Sequence, residues 1–226
     1  MNDTQTVDVA PGLSRSLALI AAQAIVLFVL GVGLLGQLLL PNPGDPFAPS
    51  AGLAVLFAVI MPLTVAIVYF GSCRRPRRTL AEVGWVGTRM IQSILLGLLG
   101  AAACVVVLVA LLAAMGDSLV AIGESLLAPS AARRVIFLII GLHAAFTEET
   151  LFRGNLLGAF QARMGSVPAI LVTSAVFAFY HLQFNPVPLL AKFVFGVVFA
   201  VLRRTSGSLV APAIAHALFW TFAGSL

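Results

Sequence analysis

Seven stretches of mostly apolar residues follow one another along the chain, separated by short polar connectors. A helix needs about 20 predominantly apolar residues to cross the hydrocarbon core of a membrane. The first three runs reach this length without a charged residue, and the last four are shorter and more polar. The runs cover approximately residues 16–40, 51–70, 91–115, 135–148, 167–182, 187–202 and 209–223. This pattern predicts an all-α, polytopic membrane protein with about seven transmembrane helices.

The composition excludes other classes of protein. Hydrophobic residues make up 61% of the chain and charged residues only 9%, whereas a soluble domain carries about 25% charged residues. Intrinsic disorder is excluded because it requires low hydrophobicity. The two cysteines are too few for a disulfide scaffold. In a membrane protein, the net charge of +5 reflects which side of the membrane the arginines occupy. We therefore predict membrane lipids and no nucleic acid as partners.

The arginines indicate the orientation, because cytoplasmic loops of membrane proteins carry an excess of Lys and Arg. With the N-terminus in the cytoplasm, only Arg133 and Arg134 fall on the outer side. The arginines that then fall inside are Arg15, Arg74, Arg75, Arg77, Arg78, Arg89, Arg153, Arg163, Arg203 and Arg204. We therefore predict an integral membrane protein of a bacterial plasma membrane, with its N-terminus in the cytoplasm.

Ionisable residues within the apolar runs are the candidates for function. Such a residue costs about 2.5–3.5 kcal/mol at the centre of a spanning helix. The second half of the chain holds all three histidines, His143, His181 and His216, together with the adjacent pair Glu148 and Glu149. Polar groups of this kind gain most when they face one another around a water-filled cavity.

Helix geometry separates the two glutamates. Residues four apart share a helix face, so Glu149 lies over Arg153 and is expected to pair with it. Glu148 is five residues from Arg153, about 140° away around the helix, and is left to meet groups on other helices. The alternative is that both glutamates simply mark a helix end at the membrane interface.

The histidines fall on different predicted helices. His181 ends the fifth run, with Phe177 four residues earlier on the same face as a possible pocket wall. His216 lies inside the last run, where small residues upstream allow close helix packing. Either histidine alone can be an ordinary interhelical hydrogen bonder. We expect His143 to serve packing or a supporting hydrogen bond, and we leave Lys192 unassigned.

Two neutral imidazoles and a carboxylate suit a Zn²⁺ ion with water in the remaining position. A carboxylate beside such a water is a general base, and hydrolysis is the reaction class that follows. Inside a bilayer, the expected target is a peptide bond. The chain contains no HExxH and no GxSxG sequence, so the zincin and serine-hydrolase arrangements do not apply.

Three motifs resemble a known family. Glu148–Gly154 reads EETLFRG and fits EExxxR, Phe177–His181 reads FAFYH and fits FxxxH, and His216 lies in AIAHALFW. In order and spacing they resemble the CAAX protease and bacteriocin-processing (CPBP) family of intramembrane metalloproteases, of the CAAX prenyl protease 2 type. Thr79–Gly87 also resembles the segment that precedes the core of this family. The core resemblance covers about residues 131–224.

The resemblance implies a fold and roles for individual residues. It implies a bundle of membrane helices around a polar cavity that opens to the cytosol, with Glu148 activating the attacking water. It places His181 and His216 at the same centre, either as metal ligands, with zinc the expected ion, or as groups that position water and the oxyanion. Glu149 and Arg153 would order the motif helix.

The same resemblance suggests two parts of the chain. Residues 1–130 would contain N-terminal transmembrane helices and a basic cytosolic loop, and residues 131–226 would form the catalytic helical core. One position departs from the family pattern: Trp220 stands four residues after His216, where Asn or Asp is usual. Trp offers one N–H donor and no oxygen. Asn185 is the candidate substitute.

These observations predict an intramembrane endopeptidase that hydrolyses a peptide bond of a membrane-associated protein or peptide. The first alternative is a non-catalytic membrane scaffold or chaperone that keeps the fold, which the departure at Trp220 favours. The second is a proton-coupled transporter that uses the same polar cluster as a relay. Substrate, metal identity and oligomeric state are left open.

Overall fold

The computed structural model describes residues 12–35, 51–74, 77–87 and 89–223, and every regular element in these ranges is a helix. We number the helices α1 to α9 in chain order. Their bounds are α1 Leu13–Ala24, continuing through Ile25–Leu35; α2, a continuous helix from Ala51–Val55 to Phe70–Arg74; α3 Leu80–Val83; α4 Met90–Ala114; α5 Leu119–Leu127; α6 Ala131–Met164; α7 Ser166–Tyr180; α8 Pro186–Ser206; and α9 Val210–Ala223.

The prediction of an all-α polytopic membrane protein is confirmed. Among the described helices, four are long and apolar enough to cross a membrane: Gly52–Arg74 within α2, α4, α6 and α8. Three further apolar helices are shorter, namely Leu13–Val29 within α1, α7 and α9. Each of the seven predicted runs therefore corresponds to one helix, and α3 and α5 are short additions. The end of the first predicted run at 36–40, the connector at 41–50 and Arg75 lie outside the described residues.

The motif helix α6 is much longer than its apolar run predicts. It continues past Glu149 to Met164, with π-helical backbone over Thr150–Leu156. The polar residues that follow the apolar run lie against other helices and are buried, so they do not end the helix. The alternative that the two glutamates mark a helix end is therefore wrong.

Arg153 also differs from its predicted place. Its side chain is buried in the middle of α6 beside Glu149. It therefore does not belong among the cytoplasmic loop charges. A buried carboxylate partner lets this arginine lie within the bundle, where an unpaired charge would be costly.

Long-range hydrogen bonds show which helix ends lie together. Arg15 donates to the carbonyl of Gly71 at 2.9 Å, so α1 begins beside the end of α2. Arg134 donates to the carbonyl of Thr221 at 3.4 Å, so α6 begins beside the end of α9. Because the connectors are short, the ends of α4, α7 and α9 lie at the same end of the bundle as the starts of α6 and α8. We call this the cavity end of the bundle.

The opposite end, which we call the arginine end, holds most of the positive charge among the described residues. It contains the ends of α2, α6 and α8 and the starts of α4, α7 and α9. Its arginines are Arg15, Arg74, Arg77, Arg78, Arg89, Arg163, Arg203 and Arg204. Helices α4 and α9 pack closely near this end, since a Cβ on Gly97 of α4 would come within 2.7 Å of the Ile214 side chain on α9.

Candidate active site

Glu148, His181 and His216 converge from three different helical segments. Glu148 lies in the middle of α6, His181 caps the C-terminus of α7, and His216 lies in the middle of α9. Oε2 of Glu148 lies 3.8 Å from Nε2 of His181 and 3.8 Å from Nε2 of His216. The structure thus brings together the three residues that the motifs single out.

Hydrogen bonds on the far side of each ring determine the tautomers. Nδ1 of His181 lies 2.9 Å from the carbonyl oxygen of Phe177, which can only accept. Nδ1 of His216 lies 3.0 Å from Oε1 of Glu149, and an ionised carboxylate also accepts only. Both Nδ1 atoms therefore donate, and in its neutral form each ring presents the lone pair of Nε2 towards Glu148.

With both rings neutral, three hydrogen-bond acceptors face one another in a buried place. Glu148 is 4% exposed, and its Oε2 atom has no hydrogen-bond partner among the described residues. A separation of 3.8 Å exceeds the 2.7–3.2 Å of a hydrogen bond. A water molecule between these groups can donate one O–H to Glu148 and the other to one of the two imidazoles.

Glu149 and Arg153 support this centre from within the same helix. Nη1 of Arg153 lies 3.2 Å from Oε1 of Glu149, the atom that also accepts from His216. Nη2 of Arg153 donates to the carbonyl of Gly196 on α8 at 3.0 Å. The guanidinium also lies 4.4 Å from the centre of the Phe177 ring, a cation–π contact. The pair therefore links α6, α8 and α9.

Two aromatic rings wall the histidines. The Phe177 ring centre lies 4.9 Å from that of His181 and 6.2 Å from that of His216, edge-on to both. Phe199 on α8 stacks on His216 with ring centres 5.0 Å apart. Phe199 and the Gly196 carbonyl are site groups that the sequence analysis missed. Nothing in the local sequence of α8 distinguishes either from ordinary packing residues.

A cavity of about 870 Å³ leads from the histidines to the cavity end of the bundle. Asn185 and Trp220 line it together with His181 and His216. The remaining wall is mostly apolar and includes Leu108, Leu112, Phe195 and Phe219. This volume lies within the usual range for ligand sites, about 300–1,000 Å³.

His143 lies apart from this centre, although it is on the same helix as Glu148. Its Nε2 lies 2.7 Å from Oγ1 of Thr64, and that hydroxyl donates to the carbonyl of Met61 at 2.8 Å. The imidazole therefore donates to Thr64 and ties α6 to α2. This agrees with the packing role expected for it.

The donor types at the centre suit zinc, because the Nε2 lone pairs of His181 and His216 are atoms that Zn²⁺ binds. The arrangement is less favourable. Among the described residues there is no group of three or more His, Cys, Asp or Glu side chains that could hold a metal ion. The described residues therefore supply two histidine ligands for a zinc ion but not a complete protein site.

Comparisons with known proteins address the core of the chain. Residues 129–222 match the model of the Rce1-like family, described as type II CAAX prenyl endopeptidase Rce1-like. The predicted resemblance is thus confirmed over this segment. At the level of the family, the match supports a CAAX-type protease within the membrane.

One curated relative and the solved structures add little to this. An uncharacterized 24.3 kDa protein of Escherichia coli is 36% identical over 86 residues, which cover 35% of this chain and 38% of the relative. The chain thus spans little more than a third of that protein's length. No solved structure matches the chain.

Proposed function

We propose that this chain is an intramembrane endopeptidase in which Glu148 activates water to hydrolyse a peptide bond of a membrane-associated protein or peptide. The observation that carries the proposal is the convergence of two imidazoles on the carboxylate of Glu148. Nε2 of His181 and Nε2 of His216 each lie 3.8 Å from Oε2 of Glu148. A water molecule between them would be oriented with its oxygen close to the general base. The match of residues 129–222 to a protease family supports the same reaction class.

In the proposed reaction, Glu148 carries one proton from the attacking water to the leaving nitrogen. Glu148 removes a proton from water while the water oxygen forms a bond to the carbonyl carbon of the scissile peptide. The protonated carboxyl then gives this proton to the leaving nitrogen as the C–N bond breaks. The products are a carboxylic acid and an amine, and Glu148 returns to its ionised form.

The neighbouring residues orient this centre. One O–H of the attacking water donates to Glu148 and the other to Nε2 of His181 or of His216. The Nδ1 bonds to Phe177 and Glu149 hold the two rings in place. Trp220 is the proposed donor to the oxyanion through its indole N–H, with Asn185 as the alternative. An oxyanion donor of this kind contributes about 10²–10³-fold to the rate.

Zinc is a separate proposal that the hydrolytic step above does not require. If the protein binds Zn²⁺, His181 and His216 would be its ligands through Nε2. The ion would supply Lewis-acid polarisation of a bound oxygen. Its binding is measured directly by metal analysis of the purified protein.

The test uses the full chain purified in detergent and a library of peptides. We expect cleavage by the wild type and a loss of about 10²–10⁴-fold in Glu148→Gln, the range for a general base. Glu124→Gln is the matched control, because Glu124 is an exposed glutamate on α5. Equal cleavage by the wild type and Glu148→Gln would exclude the proposed mechanism.

A non-catalytic scaffold is the second candidate, and Trp220 is the observation that favours it. If the scaffold function is right, Glu148→Ala and His181→Ala would both keep the phenotype of the wild-type gene in cells. If the peptidase function is right, both would behave as a deletion while the protein is still present in the membrane.

We further propose a bacterial plasma membrane location with the arginine end in the cytoplasm, as the positive-inside rule indicates. The N-terminus would then be cytoplasmic, and the cavity end would face outwards. This orientation is incompatible with the cytosol-facing cavity that the family resemblance implies, because the cavity and the arginines lie at opposite ends of the bundle. Substrates would approach from the outer face or from within the bilayer.

A further inference from the structure

Lys192 is a charged residue in the wall of an otherwise apolar cavity. It lies on α8 and lines the same cavity as His181 and His216. Among the residues that line this cavity, Lys192 is the only Lys or Arg, and none is an Asp or Glu. The sequence analysis left this residue unassigned, and the hydrolytic step does not use it.

Lys192 interacts electrostatically with the carboxylate of Glu148, but it forms no ion pair with a described residue. Its Nζ atom donates to Oε1 of Gln183 at 2.5 Å, and an amide oxygen carries no net charge. An ammonium has three donors, so this half-buried side chain can bind a further acceptor besides Gln183.

We propose that Lys192 binds a carboxylate of the peptide substrate and so positions the chain in the cavity for attack at Glu148. This inference rests on the proposed peptidase function. The carboxylate is the free C-terminus or an acidic side chain of the substrate. The apolar wall favours a peptide whose other side chains are hydrophobic.

Distance along α8 indicates where that carboxylate lies. Phe199, which stacks on His216, is two helical turns beyond Lys192 on the same helix. Two turns correspond to about 11 Å, and an extended peptide covers about 3.3 Å per residue. The carboxylate is therefore expected a few residues from the scissile bond, and a free C-terminus would lie on the side that leaves with the amine.

The experiment measures peptide binding to protein that carries Glu148→Gln, so that it does not depend on cleavage. Four hydrophobic peptides differ only in their anionic groups: free C-terminus or amide, each with or without one Asp. We expect Lys192→Met to weaken binding of the acidic peptides about tenfold to 100-fold and to leave the neutral amide peptide unchanged. Lys192→Arg should retain most of the preference.

The four peptides also distinguish the two sources of the carboxylate. Either source supports the proposal if Lys192→Met removes the preference for it. Arg204→Met is the matched control, because Arg204 is an exposed cation at the far end of the same helix. Equal weakening of acidic and neutral peptides by Lys192→Met would overturn the proposal, as would no change in either.

Two further arms test for other roles of the ammonium. Gln183→Leu removes the hydrogen bond to Lys192 but keeps the charge, so the preference for acids should persist. If it disappears as completely as in Lys192→Met, the ammonium serves to hold the loop after α7 and the proposal fails. Binding is also compared in nanodiscs of zwitterionic or anionic lipid. A Lys192 effect that is present only with anionic lipid would identify a lipid headgroup as the ligand and overturn the peptide proposal.

The failures of the two proposals can be told apart. If the wild type cleaves peptides but Lys192→Met shows no acid-specific defect, the peptidase function stands and this inference fails. If no peptide is cleaved but acidic peptides bind through Lys192, the cavity recognises peptide carboxylates without hydrolysing them.

Discussion

Nδ1 of His216 lies 3.0 Å from Oε1 of Glu149, and this hydrogen bond joins the motif helix α6 to α9. The same carboxylate oxygen pairs with Arg153 at 3.2 Å. Glu149 thus holds one imidazole of the centre by its Nδ1 and leaves Nε2 directed towards Glu148. The two adjacent glutamates consequently serve different purposes, which can be separated by experiment.

Glu149→Ala should destabilise the fold, whereas Glu148→Gln should not. Removing Glu149 leaves a buried arginine without its carboxylate, and breaking a buried ion pair costs about 3–5 kcal/mol. Glu148 has a buried, unpaired oxygen, so the neutral amide should leave the midpoint of thermal unfolding unchanged or raise it, while activity is lost. Thermal unfolding in detergent, followed with a peptidase assay, checks both. Equal midpoints for the two variants would contradict this division of roles.

Alanine substitutions at His216 and His143 compare a histidine of the centre with one that lies apart from it. His216→Ala removes a lone pair that faces Glu148, so we expect activity to fall about 10²-fold or more. His143→Ala removes the hydrogen bond to Thr64, with an expected loss of about 0.5–1.5 kcal/mol of stability and near-normal kcat. Similar kcat values for the two variants would show that the centre does not depend on His216.

Trp220 is tested by two substitutions with opposite expectations. Trp220→Phe keeps an aromatic wall but removes the N–H donor, so kcat should fall about 10²–10³-fold with little change in KM. Trp220→Asn restores the amide usual in the family and should keep or raise kcat. Unchanged kcat in Trp220→Phe would exclude the indole as the oxyanion donor and leave Asn185 as the candidate.

Zinc dependence is measured in the wild type and in His181→Ala by metal analysis and by activity after chelation. If zinc assists the reaction, chelation should abolish activity, Zn²⁺ should restore it, and His181→Ala should contain less metal. Activity that resists chelation but still requires Glu148 would retain the peptidase and exclude the metal.

Labelling of single-cysteine variants can show on which side of the membrane the cavity opens. Cys73 and Cys104 are both buried and are first replaced by Ala. Phe184→Cys lies at the rim of the cavity, and Arg204→Cys lies at the arginine end. With intact cells, a membrane-impermeant maleimide should label the first variant and label the second only after permeabilisation. The reverse result would place the cavity on the cytosolic side.

Some of this centre could be predicted from local sequence and some could not. The four-residue spacing of Glu149 and Arg153 predicts their pairing, and the ion pair is present. The apolar pattern did not predict that α6 continues to Met164, because the polar residues beyond Glu149 are buried by helices distant in sequence. The hydrogen bond between Glu149 and His216 was missed for the same reason.

The sequence by itself determined the helical, membrane-embedded class of the protein and the identity of the motif residues, because hydrophobicity and residue spacing act locally along the chain. The tertiary structure decided which atoms meet: the two Nε2 atoms facing Glu148, Phe199 against His216, and Lys192 in the cavity wall. It also decided that the cavity and the arginines lie at opposite ends of the bundle. These relationships depend on how separate helices pack, rotate and run relative to one another, and apolar faces alone leave many such arrangements open.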